Sequence, residues 1–198
     1  MGGDAVEVED ARCRFLVRLA GEPAPDLAAA LGELAAADRL AGLIAAPTPA
    51  MSAFAASLPT ALLAADGERG GDGAVIDARD APADAVVDRR RGDAGAILLA
   101  DVATSSHAAM EAGEAGADAV VFTGEAAAVR DCVAWWSELF VLPVAAPADP
   151  DELAPLVAAG ADFLVVEATR LAGTAVPVPV LLDRLAAAEA ERPDVSPA

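Results

Sequence analysis

The chain of 198 residues contains no lysine, asparagine, glutamine or tyrosine, and His107 is its only histidine. A mechanism that needs a lysine Schiff base is therefore excluded. A phosphate-binding loop of the Walker type is excluded too, because it needs its lysine. Polar chemistry is left to Asp, Glu, Arg, Ser, Thr, Cys and one His. His107 falls inside a predicted helix, where a histidine on the helix surface is the favoured interpretation.

Basic residues are scarce as well: 13 stand against 32 acidic residues, which gives a formal net charge of -19. A surface this negative repels phosphate backbones and anionic lipid headgroups, so we expect no nucleic-acid partner and no membrane-surface partner. A phosphorylated substrate would also be hard to capture without Mg²⁺ or a focused group of arginines. The one basic run, Arg89–Arg91, is interpreted as a solvated helix end.

No segment offers the roughly 18 uninterrupted apolar residues of a membrane span. The acidic stretch Met1–Asp10 lacks the positive region of a secretory signal. Two cysteines, Cys13 and Cys132, show neither metal-binding spacing nor a disulfide framework. These absences predict reduced thiols in a cytoplasmic protein.

The chain is rich in apolar residues: 56% of its residues are hydrophobic, and only 4% are aromatic. Its core must therefore be built from Ala, Val and Leu. The length suits one domain with a sizeable core and is short for two. We therefore expect a single domain over residues 1–198, with flexible tails at 1–11 and 193–198.

Short Val/Ile/Leu-rich runs alternate with Ala-rich stretches, which is the pattern of βα units around a parallel sheet. Near-continuous apolar character suits strands that are covered on both faces. Eight strands are predicted, at Arg14–Leu19, Leu40–Ala46, Thr60–Ala65, Gly73–Ala78, Ala96–Val102, Asp118–Thr123, Leu142–Ala146 and Asp162–Glu167.

The predicted helices are uneven in quality. Met51–Leu58 is barely two turns, and only a glycine-rich loop separates the third and fourth strands, where a crossover normally takes a dozen or more residues. We therefore predict a (β/α)₈ TIM-type barrel with shortened second and third units, and the alternative is a doubly wound parallel sheet. The better helices are Asp26–Asp38, Ser106–Ala115, Ala126–Phe140, Asp151–Ala159 and Val180–Arg192.

A local repeat favours the barrel. Ala-Gly-Ala-Asp occurs at 115–118 and again at 159–162, each time between a helix and a buried strand. Glycine permits the left-handed turn that ends the helix, and Asp opens the strand. The same unit used twice is what a ring of βα modules predicts.

These segments resemble thiamine-phosphate synthases. The similarity is carried by Ser105–Phe122, Trp135–Val144, Ala154–Leu164 and Asp72–Pro82, and it spans roughly residues 12 to 170. The resemblance implies a (β/α)₈ enzyme that joins a pyrimidine pyrophosphate to a thiazole phosphate with Mg²⁺ and releases pyrophosphate. Thiazole tautomerases belong to the same superfamily.

The resemblance implies two metal ligands, Asp66 after the third strand and Asp80 after the fourth, which could hold a hydrated Mg²⁺. The groups that should cradle pyrophosphate are depleted. Uncharged or acidic residues replace them at Leu43–Pro47, Val75–Ala78, Thr123–Glu125 and Ala145–Ala148.

Other candidates lie near the strand ends. Asp77 and Asp101, together with the two metal candidates, would make an acidic barrel mouth that suits a metal or a cationic ligand. Arg79, Thr169 and Arg170 are the residues that could compensate for the lost anion-binding groups.

Three functions follow from this pattern. The favoured one is a non-catalytic relative that binds a thiamine precursor, a cation or a partner protein. The alternatives are an active thiamine-phosphate synthase, and a small isomerase or tautomerase that uses an Asp as its base. Ala-rich helices also allow close approach between helices, so a homo-oligomer is a possible assembly.

Overall fold

The computed structural model describes residues 12–65, 68–173 and 177–192. Within them, eight parallel strands form a closed barrel, in which each strand pairs with its neighbours in sequence and the first pairs with the last. All eight predicted segments overlap a strand, so the barrel is confirmed and the doubly wound sheet was wrong. The strands are β1 (Arg14–Arg18), β2 (Leu40–Ile44), β3 (Ala61–Ala64), β4 (Gly73–Asp77), β5 (Ile97–Asp101), β6 (Ala119–Val121), β7 (Val144–Pro147) and β8 (Phe163–Glu167).

Helices lie between most of the strands, and five of those described have a proline in their first turn. A proline in the first turn costs no hydrogen bond there, because the first backbone N–H groups of a helix have no partner within it. The helices are α1 (Pro25–Ala36), α2 (Pro49–Ala56), α3 (Pro82–Gly92), α4 (Ser106–Glu114), α5 (Ala126–Leu139), α6 (Ala154–Ala158), α7 (Ala168–Gly173) and α8 (Val178–Ala190). The predicted tails at 1–11 and 193–198 lie outside the described residues.

The strands are apolar throughout because both of their faces are buried. One set of side chains fills the barrel interior, and the alternate set packs beneath the helices. The interior set is Leu16, Ile44, Leu63, Val75, Leu99, Ala119, Val121, Ala145 and Val165.

The connection from β3 to β4 carries no helix in its described residues 68–72. It can be short because the strands are staggered: Gly73, the first residue of β4, pairs with Leu63 near the end of β3. The loop therefore has to run back along the barrel axis by only about one residue before β4 begins. Gly71 allows this return, because its φ is +72° and a Cβ there would lie 2.4 Å from the Leu62 carbonyl oxygen.

An aspartate stands just before each of β4, β6 and β8 and accepts a hydrogen bond from the strand that precedes it in the barrel. Asp72 accepts from Leu62 N, Asp118 from Leu98 N and Asp162 from Val144 N, at 2.7 to 2.8 Å. The Ala-Gly-Ala-Asp repeat supplies two of these aspartates. Its glycines have φ values of +98° and +96°, as predicted for a left-handed helix end.

Helix α3 was not among the predicted helices, although the run Arg89–Arg91 was interpreted as a helix end. Its buried side chains are those of Pro82 and Val86. So few buried positions leave little apolar periodicity in the sequence of the helix. The basic run does end a helix, but Arg90 is not simply solvated. It donates to the carbonyl of Gly116 and to Asp118, and so ties α3 to the base of β6.

No helix in the described part of the chain has the length and apolar character needed to cross a membrane.

Candidate functional site

The carboxyl ends of the strands enclose a cavity of about 300 Å³. This end of a (β/α)₈ barrel is where active sites lie, because the strands deliver side chains there from around the ring. One part of the wall is apolar and the other is charged. The lining residues are Arg18, Ile44, Ala65, Val75, Ile76, Asp77, Arg79 and Asp101.

The charged side of the cavity is organised by Asp101, the last residue of β5. Its Oδ2 accepts from Arg79 Nη2 at 2.7 Å, and its Oδ1 accepts from the Thr123 hydroxyl at 2.7 Å. The same Oδ1 also accepts from the backbone N–H of Ala103 at 3.1 Å. Both oxygens of this carboxylate are therefore engaged within the protein.

Arg79 lies between two carboxylates. Asp77 and Asp101 are register partners on β4 and β5, so their negative charges stand side by side at the mouth. The Arg79 Nε is 3.8 Å from Asp77 Oδ1, while its Nη2 reaches Asp101. The Arg79 backbone N–H donates to Asp77 Oδ1 at 3.1 Å. A positive charge between the two carboxylates offsets the repulsion between them.

The other arginine of the cavity is also paired. Arg18 ends β1, Glu167 ends β8, and these register partners form an ion pair at 3.2 Å. Both side chains are about half exposed, so the pair is accessible from the mouth. Each arginine that lines the cavity therefore already contacts a carboxylate of the chain itself.

The remaining predicted residues do not join this group. Asp80 is exposed in the turn before α3, and Thr169 is exposed on α7. Arg170 forms an ion pair with Asp149. None of these residues is among those that line the cavity. Asp66, the first predicted metal ligand, lies outside the described residues.

Of the two predicted magnesium ligands, the structure describes only Asp80. The described residues contain no group of three or more His, Cys, Asp or Glu side chains placed to hold a metal ion. Both oxygens of Asp101 already accept hydrogen bonds, from Arg79 and Thr123, so a cation would have to share them with these donors. We therefore derive no chemical step through Mg²⁺.

A second cavity, of about 430 Å³, lies beside the first turns of α5 and α6. The N-terminus of α5 would suit an anion, but the Glu125 carboxylate occupies it and accepts from Ala127 N and Ala128 N at 3.1 Å. These hydrogen bonds hold the pKa of Glu125 below its usual value. The wall also carries the acidic side chains of Asp149 and Glu152 and the basic side chain of Arg130.

Comparison with known proteins gives one partial sequence match. A segment of 75 residues is 44% identical to the thiamine-phosphate synthase of Erythrobacter litoralis (strain HTCC2594), and it covers 31% of this chain and 35% of that enzyme. The chain thus matches about a third of the length of this relative. No protein-family profile matches the chain. Similarity to thiamine-phosphate synthases is shown over this segment.

Solved structures share the barrel at low sequence identity. The native KDPGal structure is 16% identical with a TM-score of 0.63, over 88% of this chain and 95% of that one. The BexX/CysO complex of Amycolatopsis orientalis is 18% identical with a TM-score of 0.61, over 93% and 95%. Orotidine 5'-monophosphate decarboxylase from Metallosphaera sedula is 13% identical with a TM-score of 0.60, over 90% and 98%. These likenesses show the fold alone.

Three residues of the mouth were not among the predicted ligand-binding candidates: Arg18, Thr123 and Glu167. Arg18 and Glu167 could have been found from the sequence, because each is a charged residue at the end of an apolar strand. Thr123 gives no such indication. Its role depends on the neighbouring strand, which places Asp101 within hydrogen-bond distance.

Proposed function

We propose that the barrel mouth binds one small unphosphorylated molecule of the kind from which thiamine is built, and that this chain does not join the two phosphorylated precursors. The observation that carries the proposal is the pairing of both cavity arginines with carboxylates of the chain. Each guanidinium is already neutralised by a carboxylate, so a phosphate bound beside it would also meet the negative charge of Asp101 or Glu167.

The size and polarity of the cavity support a single small ligand. A volume of about 300 Å³ is at the lower end of the range for small-molecule sites. An aminopyrimidine would place its flat ring against the apolar wall of Ile44 and Val75. Its amino N–H groups would then face the acidic side of the mouth.

Loss of catalysis is supported by the groups that surround the strand ends. Departure of pyrophosphate needs preorganised donors or a metal, and the loss of one such donor commonly costs about 10² to 10³ in rate. In this chain β7 ends at Pro147, which has no backbone N–H to offer. The N-terminus of α5 is filled by the Glu125 carboxylate.

Calorimetric titration tests the proposal. Thiamine, thiamine phosphate and the hydroxymethyl aminopyrimidine of thiamine are titrated separately into the purified chain. We expect saturable binding of the aminopyrimidine and markedly weaker binding of the phosphorylated ligand. Preferential binding of thiamine phosphate would contradict the proposal and favour an active synthase.

The active synthase is the second candidate, and the segment 44% identical to a synthase favours it. Growth rescue of a strain that lacks thiamine-phosphate synthase would support it directly. An isomerase or tautomerase would need an Asp as its base. Asp101 suits that role poorly, because Arg79 and Thr123 already donate hydrogen bonds to its two oxygens.

A further inference from the structure

The strand order of the barrel divides the charged residues of the mouth into two groups on opposite sides. Arg18 and Glu167 end β1 and β8, whereas Asp77 and Asp101 end β4 and β5. In the closed ring of eight strands, two strands separate the β8/β1 pair from the β4/β5 pair in either direction. Each side of the mouth therefore presents its own charge to a ligand in the cavity.

The two sides differ in charge. On the β8/β1 side, Arg18 and Glu167 form an ion pair, so one guanidinium cancels one carboxylate. On the β4/β5 side, the carboxylates of Asp77 and Asp101 both contact the single guanidinium of Arg79. Among the described residues of the mouth, the β4/β5 side therefore carries one negative charge in excess.

The two carboxylates of the β4/β5 side are not equally accessible to a ligand. Asp101 is 18% exposed and lies 2.7 Å from the Arg79 guanidinium, and it also accepts hydrogen bonds from Thr123 and Ala103. Asp77 is 54% exposed, and its contact with the guanidinium is longer, at 3.8 Å. A ligand in the cavity would therefore meet the excess negative charge at Asp77.

The wall beside Asp77 favours an organic ligand over a metal ion. Ile44, Val75 and Ile76 line the same cavity and offer no oxygen ligands. A hard divalent cation needs about six oxygen ligands, and the described residues contain no group of acidic side chains placed to hold one. An apolar ring that carries one positive group fits both parts of this wall.

We propose that the mouth prefers a singly charged organic cation, an amine attached to a flat ring, and that Asp77 determines this preference. The inference rests on the proposed function and adds the charge of the ligand to it. The ring lies against Ile44 and Val75, and the ammonium group faces Asp77. The uncharged end of the ligand then faces the ion pair on the β8/β1 side, where no charge is in excess.

Two pyrimidines that differ in one group test this preference. The first is the hydroxymethyl aminopyrimidine of thiamine, and the second is its aminomethyl analogue, in which an amine replaces the hydroxyl group. At neutral pH the analogue carries one more positive charge. We expect calorimetry on the full chain to show that the analogue binds about five to ten times more tightly. Added salt should reduce this difference, because it screens the attraction.

Three variants locate the charge that is responsible. Asp77→Asn should reduce the preference to about twofold or less, because it removes the excess charge. Glu167→Gln removes the same charge from the opposite side of the mouth and should leave a larger preference. Asp88→Asn is the control for net charge, since Asp88 is exposed in an ion pair with Arg91, and it should leave the preference unchanged. Thermal unfolding followed by circular dichroism verifies that the variants fold.

The outcomes separate this inference from the function on which it rests. Equal affinity of the wild-type chain for the two pyrimidines would overturn the inference and leave the proposed function standing. An equal loss of preference in Asp77→Asn and Asp88→Asn would overturn it too, because net charge alone would then be responsible. Binding of neither pyrimidine would contradict the proposed function, and the inference with it.

Discussion

Arg79 and Asp101 form an ion pair at 2.7 Å across two neighbouring strand ends, at the mouth of the barrel. Asp101 is only 18% exposed, and Thr123 orients its second oxygen. The Arg79 guanidinium, which could bind an external anion, is thus already paired with the Asp101 carboxylate. This pair is the physical basis for the proposed loss of phosphate chemistry.

Asp101→Asn should remove one of the two carboxylates beside Arg79 and so favour anion binding at the mouth. Removing the charge of Asp101 leaves the guanidinium with a weaker partner, so we expect inorganic pyrophosphate to bind about tenfold more tightly than to wild type. Calorimetry measures the change. Asp88→Asn makes the same change of charge at an exposed ion pair with Arg91. An equal gain in that control would mean that net charge alone is responsible.

Glu125→Ala should lower the stability of the chain in a pH-dependent way. The carboxylate caps α5 through two backbone N–H groups, and these bonds lower its pKa. A lowered pKa means that the ionised form is stabilising, so the contribution is present above the usual value of 4.5 and is lost as the pH falls through the lower folded value.

Urea unfolding of wild type and Glu125→Ala at several pH values measures this contribution. The difference in the free energy of unfolding should be largest near neutral pH and should vanish in acid. Glu125→Ser is the control, because serine is a good N-cap without a charge. A difference that is constant with pH would show that the carboxylate does not act through its ionised form.

Because of the Cys13 thiol, the free energy of unfolding should fall as the pH rises above 9.0. Burial is the main cause that raises the pKa of this thiol from 9.0 to about 12, followed by the nearby carboxylates of Glu189 and Asp162. Between these values the unfolded thiol loses its proton while the folded thiol keeps it, so stability falls as the pH rises. The slope from one such group approaches about 1.4 kcal/mol per pH unit.

The composition makes this effect easy to isolate, because the chain has no Lys and no Tyr that would titrate in the same range. We expect Cys13→Ala to remove most of the slope above pH 9. Cys132→Ala should remove less, since that thiol is only partly buried. Urea unfolding monitored by tryptophan fluorescence gives the slopes, and an unchanged slope in Cys13→Ala would contradict the assignment.

Asp162 should contribute through its hydrogen bond rather than its charge. Its Oδ2 accepts from Val144 N, and burial raises the pKa of the carboxyl. Asp162→Ala leaves that N–H without its partner and should cost about 1 to 3 kcal/mol of unfolding free energy. Asp162→Asn keeps an acceptor and should cost less.

The pH dependence at Asp162 has the opposite sign to that at Glu125. Because the folded pKa is raised, ionisation is unfavourable in the folded state, and the contribution of Asp162 is lost as the pH rises through that value. Stability of Asp162→Asn relative to wild type should therefore increase from acid to neutral pH. A decrease would show that the ionised carboxylate is the stabilising form.

The sequence was sufficient for the barrel, because each strand is an apolar run bounded by residues that end helices. Gly116 and Gly160 adopt the left-handed conformation that the repeat predicts. Helix α3 was not predicted, since its side chains are mostly solvent-facing and leave little periodicity. Tertiary contacts, such as those of Arg90 with the base of β6, stabilise it instead.

The mouth was predicted in part. Asp77, Arg79 and Asp101 follow apolar strands, so the topology of a barrel brings them to one end, and the structure places all three around the cavity. That Arg79 pairs with Asp101 depends on the register of β4 and β5, which no local pattern specifies. Thr169 and Arg170 lie on α7, where the side chain of Arg170 turns to Asp149.

The most direct test is an assay for thiamine phosphate formation. The purified chain is incubated with the pyrimidine pyrophosphate, the thiazole phosphate and Mg²⁺, and thiamine phosphate is quantified beside an active synthase. We predict no product above the level of a reaction without protein. Sustained multiple turnover would contradict the account, because it would require anion binding at a mouth whose arginines are already neutralised.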